Sequence, residues 1–263
     1  MKKRLTRFLP FLLAFTIALP SYSVFAEEEN QAKETQTNET NETQADETTA
    51  NDTLSLAAET AVLIDAASGE ILYDKDADKK MYPASITKLM TILLALENGK
   101  LTDEITFSHD AVYNIEPGSA HIAILEGETL TLEQVLRAII LRSANEASNG
   151  VAEYVDGSVE AFAKHMTERA KELGCTNTNF VNANGLFDEN HYTTAHDMAL
   201  IARELLKHEE YRSMMSETDY EIPPTNLQTE TRYLHGQHQM LNPNSIYYYK
   251  DAIGGKTGYT VEA

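Results

Sequence analysis

The chain reads as an α+β domain, and three observations predict that class. An apolar-turn-apolar pattern occupies residues 61–73, helical periodicities fill most of 83–206, and a final strand-like run lies at 252–260. Two strands, a run of helices and one more strand make a mixed helix and sheet domain. No internal repeat is visible.

The first pattern, Ala61-Val-Leu-Ile-Asp65 and Glu70-Ile-Leu-Tyr73 around Ala66-Ala-Ser-Gly69, is a hairpin signal. Pro83 to Leu96 follows, apolar on nearly every side and closed by Gly99, which predicts a buried helix. Its first turn carries Ser85 and Lys88. Thr131-Leu-Glu-Gln134 has capping-box form and opens an apolar stretch that runs to Arg142. After a break at Ser143 to Asn145, helical spacing resumes and leads to Tyr154. Ser158 to Leu173 repeats the period through Phe162, Met166 and Ala170, with Gly174 as its stop. Thr194, three residues before Asp197, caps another helix that extends to about Leu206. Tyr211 to Tyr249 is rich in polar and turn residues, and Ala252 to Thr260 reads as a strand. Tyr247-Tyr-Tyr249 is expected to pack as strand, and Cys175 to be a small apolar residue after a helix stop.

The N-terminus has its own pattern. Residues 1–26 carry a basic start (Lys2, Lys3, Arg4, Arg7), an apolar run from Phe8 to Leu19, and small residues Val24 and Ala26. That order predicts a secretory signal cut after Ala26, because a dozen apolar residues fall short of the roughly 20 that span a bilayer. Residues 27–55 hold nine acids, one lysine and few large apolar side chains before Leu54. Such a segment buries too little to offset its chain entropy and is expected to be a disordered acidic linker. Residues 56–263 then suit one domain, or a large part of one. The formal charge of −20 argues against nucleic acid as a partner. With one cysteine the chain has no internal disulfide, so a packed core must supply stability.

Three short motifs carry chemistry. A serine hydroxyl needs an adjacent base, and a lysine three residues on lies one helical turn away on the same face. Ser85 and Lys88 have that spacing, but roughly 0.6 such matches are expected by chance from this composition. Ser143-Ala-Asn145, at a helix-to-helix break, is equally cheap, whereas Lys256-Thr-Gly258 has only about 0.06 expected matches. In this order the three coincide rarely. Together they supply a nucleophile with a base, a hydroxyl and amide for the scissile bond, and a cation for an anionic terminus. His235-Gly-Gln-His238, with His191 and His196, lacks the spacing of zinc sites, so no metal or other cofactor is expected.

With these motifs the chain resembles the serine-type D-alanyl-D-alanine carboxypeptidases, the low-molecular-mass penicillin-binding proteins. The likeness extends to Pro83-Ala-Ser-Ile-Thr-Lys-Leu-Met90, Leu173-Gly-Cys-Thr-Asn177, Asn182-Ala-Asn-Gly-Leu186 and Tyr192-Thr-Thr-Ala-His-Asp-Met198. It implies a β-lactamase/transpeptidase-like fold, with an antiparallel sheet beside a helical cluster. It also implies that Ser85 attacks the bond between the last two D-alanines of a peptidoglycan stem, with Lys88 as base and Ser143 relaying a proton. Asn145, Lys256, Thr257 and Gly258 would hold substrate, and the N–H groups of Ser85 and Tyr259 would form an oxyanion hole. β-Lactams would acylate the same serine. Ala144 and the lack of a Glu-x-x-Leu-Asn segment between Ser143 and Lys256 disfavour a β-lactamase. In the family the Lys-Thr-Gly strand reaches the hairpin through later strands, and a β-rich domain and an amphipathic membrane anchor come after. The resemblance therefore implies a catalytic domain truncated at its C-terminal strands, membrane-associated only through an anchor absent from this chain, and exported to the outer face of the cytoplasmic membrane.

Overall fold

The computed structural model describes residues 55–261; residues 1–54, with the expected signal and nearly all of the linker, lie outside the described residues. A hairpin opens the fold, with β1 (Ala61–Ile64) antiparallel to β2 (Ile71–Lys75). A 3₁₀ turn, Ala84–Thr87, leads directly into α1 (Lys88–Asn98). Next come β3 (Glu104–Thr106), α2 (His109–Tyr113) and β4 (Thr129–Thr131), with β3 and β4 paired antiparallel. Four longer helices follow, α3 (Leu132–Arg142), α4 (Asn145–Asp156), α5 (Val159–Glu172) and α6 (Ala195–Leu205). The short α7 (Glu209–Met214) precedes a third hairpin, β5 (Asp219–Ile222) with β6 (Arg232–His235).

The core is helical and α1 is its axis. Met90, Ile92, Leu93, Leu94 and Ala95 are fully buried, as an all-round apolar helix requires, against α3, α4, α5 and α6. The first eight residues of α4 are buried too, and they include Asn145, Glu146, Ser148 and Asn149. A polar helix face enters a core only when its groups find partners, and here it backs the site described below. Gly150 permits close packing, since a Cβ there would lie 2.3 Å from the Phe107 ring. This offsets the roughly 1 kcal/mol that glycine costs inside a helix.

Local signals set the helix ends. Thr131 and Gln134 form both hydrogen bonds of the capping box of α3, Ser158 caps α5, and Thr194 caps α6 through the Asp197 N–H. Gly174 stands at φ +93 just after α5.

Two expectations are corrected. Residues 252–260 form no strand, and among the described residues the sheets are three separate two-stranded ladders. This segment instead follows the surface of the helical cluster. Gly254 sits at φ +147 with its Cα against the Met215 carbonyl, Gly255 lies against His238, and Gly258 against Pro83 and Ser85. Glycine-rich backbone pressed onto side chains in this way has no neighbouring strand to complete a ladder. The second correction concerns Tyr247, Tyr248 and Tyr249, which do not pack as strand. Tyr247 lies in a turn and Tyr248 and Tyr249 in irregular chain, and they are 65%, 47% and 53% exposed.

Candidate active site

The site is assembled where two strained backbone positions meet. Ala84, just before Ser85, has φ +47, and Ser143 closes α3 in the left-handed region at φ +56. Non-glycine residues there cost about 1–3 kcal/mol each and persist only when neighbours hold them. At Ala84 the holder is Gly185, itself at φ +84, whose Cα comes so close that a Cβ would be 1.8 Å from the Ala84 carbonyl oxygen. At Ser143 it is the end of α3, where the Ser143 and Ala144 N–H groups donate to Ile139 and Ala138.

Ser85 therefore lies in the 3₁₀ turn and not in the α-helix that the sequence suggested, while Lys88 begins the helix. The lysine is fully buried, yet its Nζ has three partners: Ser85 Oγ at 3.0 Å, Asn145 Oδ1 at 2.7 Å and the Asn184 carbonyl at 2.5 Å. Burial pushes the Lys88 ammonium well below its usual range, the charge of Lys256 adds to that, and Glu146 opposes it. Lys256 donates to Ser143 Oγ at 3.0 Å and to the Thr257 carbonyl at 2.6 Å, and burial lowers it to about 8. Ser85, Lys88 and Asn145 thus form one hydrogen-bonded group, and Ser143 with Lys256 forms a second beside the same cleft.

Thr257, Gly258 and Tyr259 line a cleft of about 650 Å³ together with Ser85, Ser143 and Asn145. Gly258 passes close to the serine, since a Cβ there would stand 3.1 Å from the Ser85 nitrogen. Tyr259 is 85% exposed at the rim. All eight residues expected from the sequence are brought together here.

Sequence reading missed the wall behind them. The Asn182-Ala-Asn-Gly-Leu186 loop was noted as a likeness, but its use was not visible: Asn184 offers its carbonyl to Lys88 and its amide donates to Asn149 Oδ1 at 3.1 Å. His191 is buried beneath Ser85's turn. Its Nδ1 accepts the Val181 N–H at 3.2 Å, which leaves the proton on Nε2, 2.8 Å from Thr87 Oγ1. Burial lowers its pKa to about 4. Glu146, next to Asn145, is buried as well, with Oε1 accepting the Ile122 N–H at 2.7 Å. Backbone acceptors and residues far apart in sequence leave no local pattern to find. Among the described residues no group of three or more His, Cys, Asp or Glu is placed to hold a metal, and no helix is long and apolar enough to cross a membrane.

Such an arrangement can activate a hydroxyl and hold an anion. The family model for D-alanyl-D-alanine carboxypeptidase matches residues 44–263. D-alanyl-D-alanine carboxypeptidase DacF of Bacillus subtilis is 39% identical over 216 residues, which cover 80% of this chain and 53% of that protein. DacA of Escherichia coli is 36% identical over 158 residues, 57% of this chain and 39% of its own. The chain spans about half the length of the Bacillus relative. The Streptomyces K15 DD-transpeptidase superposes with a TM-score of 0.73 at 25% identity, covering 79% of this chain and 82% of that one. A Mycobacterium tuberculosis D-alanyl-D-alanine carboxypeptidase gives 0.70 at 26% identity, with 78% and 74% covered. With sequence match, fold and clustered motifs in agreement, the chain belongs to the D-alanyl-D-alanine carboxypeptidase family, peptidase family S11.

Proposed function

We propose that the chain is the catalytic part of a serine D-alanyl-D-alanine carboxypeptidase that trims peptidoglycan pentapeptide stems outside the cytoplasmic membrane. One observation carries the reading: the surroundings of the Lys88 amine. Asn145 Oδ1 and the Asn184 carbonyl can only accept hydrogen bonds, so a neutral Lys88 spends its two N–H groups on them. Its lone pair is then directed at the third partner, Ser85 Oγ, 3.0 Å away. A buried lysine depleted of charge is poised as a general base.

In the reaction, Ser85 Oγ bonds to the carbonyl carbon between the last two D-alanines while its proton passes to Lys88. The carbonyl oxygen takes the negative charge and meets the N–H groups of Ser85 and Tyr259, where each oxyanion donor is typically worth about 3–4 kcal/mol. The closeness of Gly258 to the Ser85 nitrogen supports this placement. The C–N bond then breaks, the proton held by Lys88 reaches the leaving amine through Ser143, which gives up its own proton and takes that one in its place, and D-alanine departs. Water hydrolyses the acyl-enzyme and restores the Ser85 hydroxyl. Asn145 binds the stem's backbone amide, and Lys256 with Thr257 holds the terminal carboxylate. A β-lactam presents the same acyl carbon and carboxylate, and therefore acylates Ser85.

Export fits this reading, since peptidoglycan lies outside the membrane and residues 1–26 have the form of a cleaved signal. The deciding experiment adds a diacylated Lys-D-Ala-D-Ala peptide and a fluorescent penicillin to the purified protein. D-Alanine release and stoichiometric labelling, both abolished in Ser85→Ala, are expected. Release that persists in Ser85→Ala would overturn the assignment.

A further inference from the structure

Lys88 has two pure acceptors, Asn145 Oδ1 and the Asn184 carbonyl, and their positions decide where its lone pair points. Asn145 is fixed at the start of α4, where its N–H donates to the Ala120 carbonyl at 2.8 Å. Asn184 lies in irregular chain. Thr91 steadies the residue before it, donating to the Ala183 carbonyl at 2.6 Å, but the tie from Asn184 to α4 is its own side chain. The partner there is Asn149, four residues after Asn145 and on the same face of the helix. Asn149 Oδ1 accepts from Asn184 Nδ2 at 3.1 Å, and Asn149 Nδ2 donates to the carbonyls of Ala111 and Asn114 at 3.3 and 3.4 Å. The Asn184 amide is fully used, since its Oδ1 accepts the Leu186 N–H at 3.0 Å. Asn149 and Asn184 are 2% and 3% exposed, so bulk water does not compete for these bonds.

We propose that Asn149 is a positioning residue for acylation: through Asn184 it holds the carbonyl that takes one N–H of Lys88, and so keeps the amine's lone pair on Ser85 Oγ. One face of α4 then sets both acceptors, Asn145 directly and Asn149 through a single intermediary. Each link is a hydrogen bond, from Asn149 to Asn184 at 3.1 Å, from Asn184 to Lys88 at 2.5 Å and from Lys88 to Ser85 at 3.0 Å. A neutral amine has two N–H groups and one lone pair. When the Asn184 carbonyl drifts, an N–H is freed to turn toward Ser85 Oγ, and the lone pair leaves the proton it has to take. General-base catalysis needs that alignment as much as it needs the distance. The position calls for an amide, because Asn184 brings a donor while Ala111 and Asn114 bring acceptors. Leucine would satisfy neither side and aspartate only the first. Among the described residues that line the cleft neither Asn149 nor Asn184 appears, so the effect falls on rate and not on substrate binding.

This rests on the base role proposed for Lys88. The test follows acylation by a fluorescent penicillin, well below each variant's melting transition, and separates the limiting rate from the half-saturating concentration. Asn149→Ala should lower the limiting rate at least about tenfold and leave half-saturation within about twofold, since a misplacement of about 1 Å costs up to roughly a hundredfold. A purely structural amide would lower the melting temperature and leave the rate of the folded protein unchanged. Asn184→Ala keeps the backbone carbonyl beside Lys88 and removes its tie to α4, and should lose rate to a similar extent. The double variant should be no slower than the slower single, because both changes break the same link. A native limiting rate in Asn149→Ala, a change confined to half-saturation, or losses that multiply in the double variant would overturn the proposal. Should Asn149→Ala not fold, Asn184→Ala decides: a native rate there overturns the proposal, and a slow rate with native half-saturation upholds it. Lys88→Ala tells the two readings apart. Labelling of Lys88→Ala at the native rate refutes the base assignment and this proposal with it, whereas an unlabelled Lys88→Ala beside a native-rate Asn149→Ala refutes this proposal alone.

Discussion

Gly185 and Ala84 are in such close contact that a single methyl group on the glycine would overlap the Ala84 carbonyl oxygen. The contact holds Ala84 at φ +47 and so aims Ser85, one residue on, toward Lys88 and the cleft. Gly185→Ala therefore combines a left-handed φ with a backbone overlap, and the two effects together are worth about 2–4 kcal/mol. The variant should melt well below the native protein, and whatever remains folded should label slowly with penicillin. Gly157→Ala is the control. It has similar φ at +77 but open space around it, so about 1 kcal/mol is expected and labelling should be normal. Equal effects in the two variants would show that the Ala84 contact does not matter.

Much of this site was legible because its chemistry is written in short motifs and its helices in local signals. Thr131 with Gln134 and Thr194 with Asp197 are caps that declare themselves within four residues. The paired strands of the first hairpin are equally local. The 3₁₀ turn at Ser85 was not visible, because it depends on Gly185, a hundred residues away. Nor was the irregular course of 252–260, since strand or loop is decided by the partner a segment meets and not by its own sequence. Asn184 contributes a backbone carbonyl, which no side-chain pattern can reveal.

Lys256 gives the alkaline limb. Burial lowers it to about 8, so its cation fades as pH rises through that value. If Lys256 anchors the carboxylate as proposed, KM for the Lys-D-Ala-D-Ala peptide should climb above pH 8 while kcat changes less. Lys256→Arg stays charged and should hold KM flat to pH 10, although its planar fork will weaken binding overall. The stability sign is opposite. Between about pH 8 and 10.5 the unfolded chain binds the proton that folded Lys256 has released, so this residue makes stability rise with pH there. Denaturant melts across that window should show the native protein gaining stability with pH relative to Lys256→Met, and parallel curves would rule this out.

His191 gives the acid side. Its folded pKa is lowered from 6.5 to about 4, so between those values the unfolded chain takes up a proton that the folded chain refuses. Stability must fall as pH drops from 6.5 toward 4, by up to roughly 3 kcal/mol from this residue. His191→Gln can still donate to Thr87 but cannot titrate. It should be less stable at pH 7, because the Val181 N–H loses its acceptor, and flatter toward acid. Parallel melting curves for the two proteins from pH 7 to 4.5 would rule this out.

The last prediction concerns the wall that carries the third hairpin. Glu128 is fully buried, and Arg232 of β6 meets both its oxygens at 2.7 Å, while Thr225 and the Leu125 N–H supply further donors. Asn226 adds two bonds, accepting from the Thr129 N–H and donating to the Gly127 carbonyl. The β5–β6 hairpin is thereby pinned to the loop that ends in β4. Removing one member of a buried pair strands the other, which typically costs about 3–5 kcal/mol. Arg232→Ala should therefore destabilise strongly, whereas Arg232→Ala with Glu128→Leu should recover much of the loss because no buried charge remains. The recovery matters more than the loss, since any damaging change in β6 lowers stability. If the double variant is as unstable as Arg232→Ala alone, the hairpin is held by its apolar residues Ile222 and Leu234, and the ion pair is incidental.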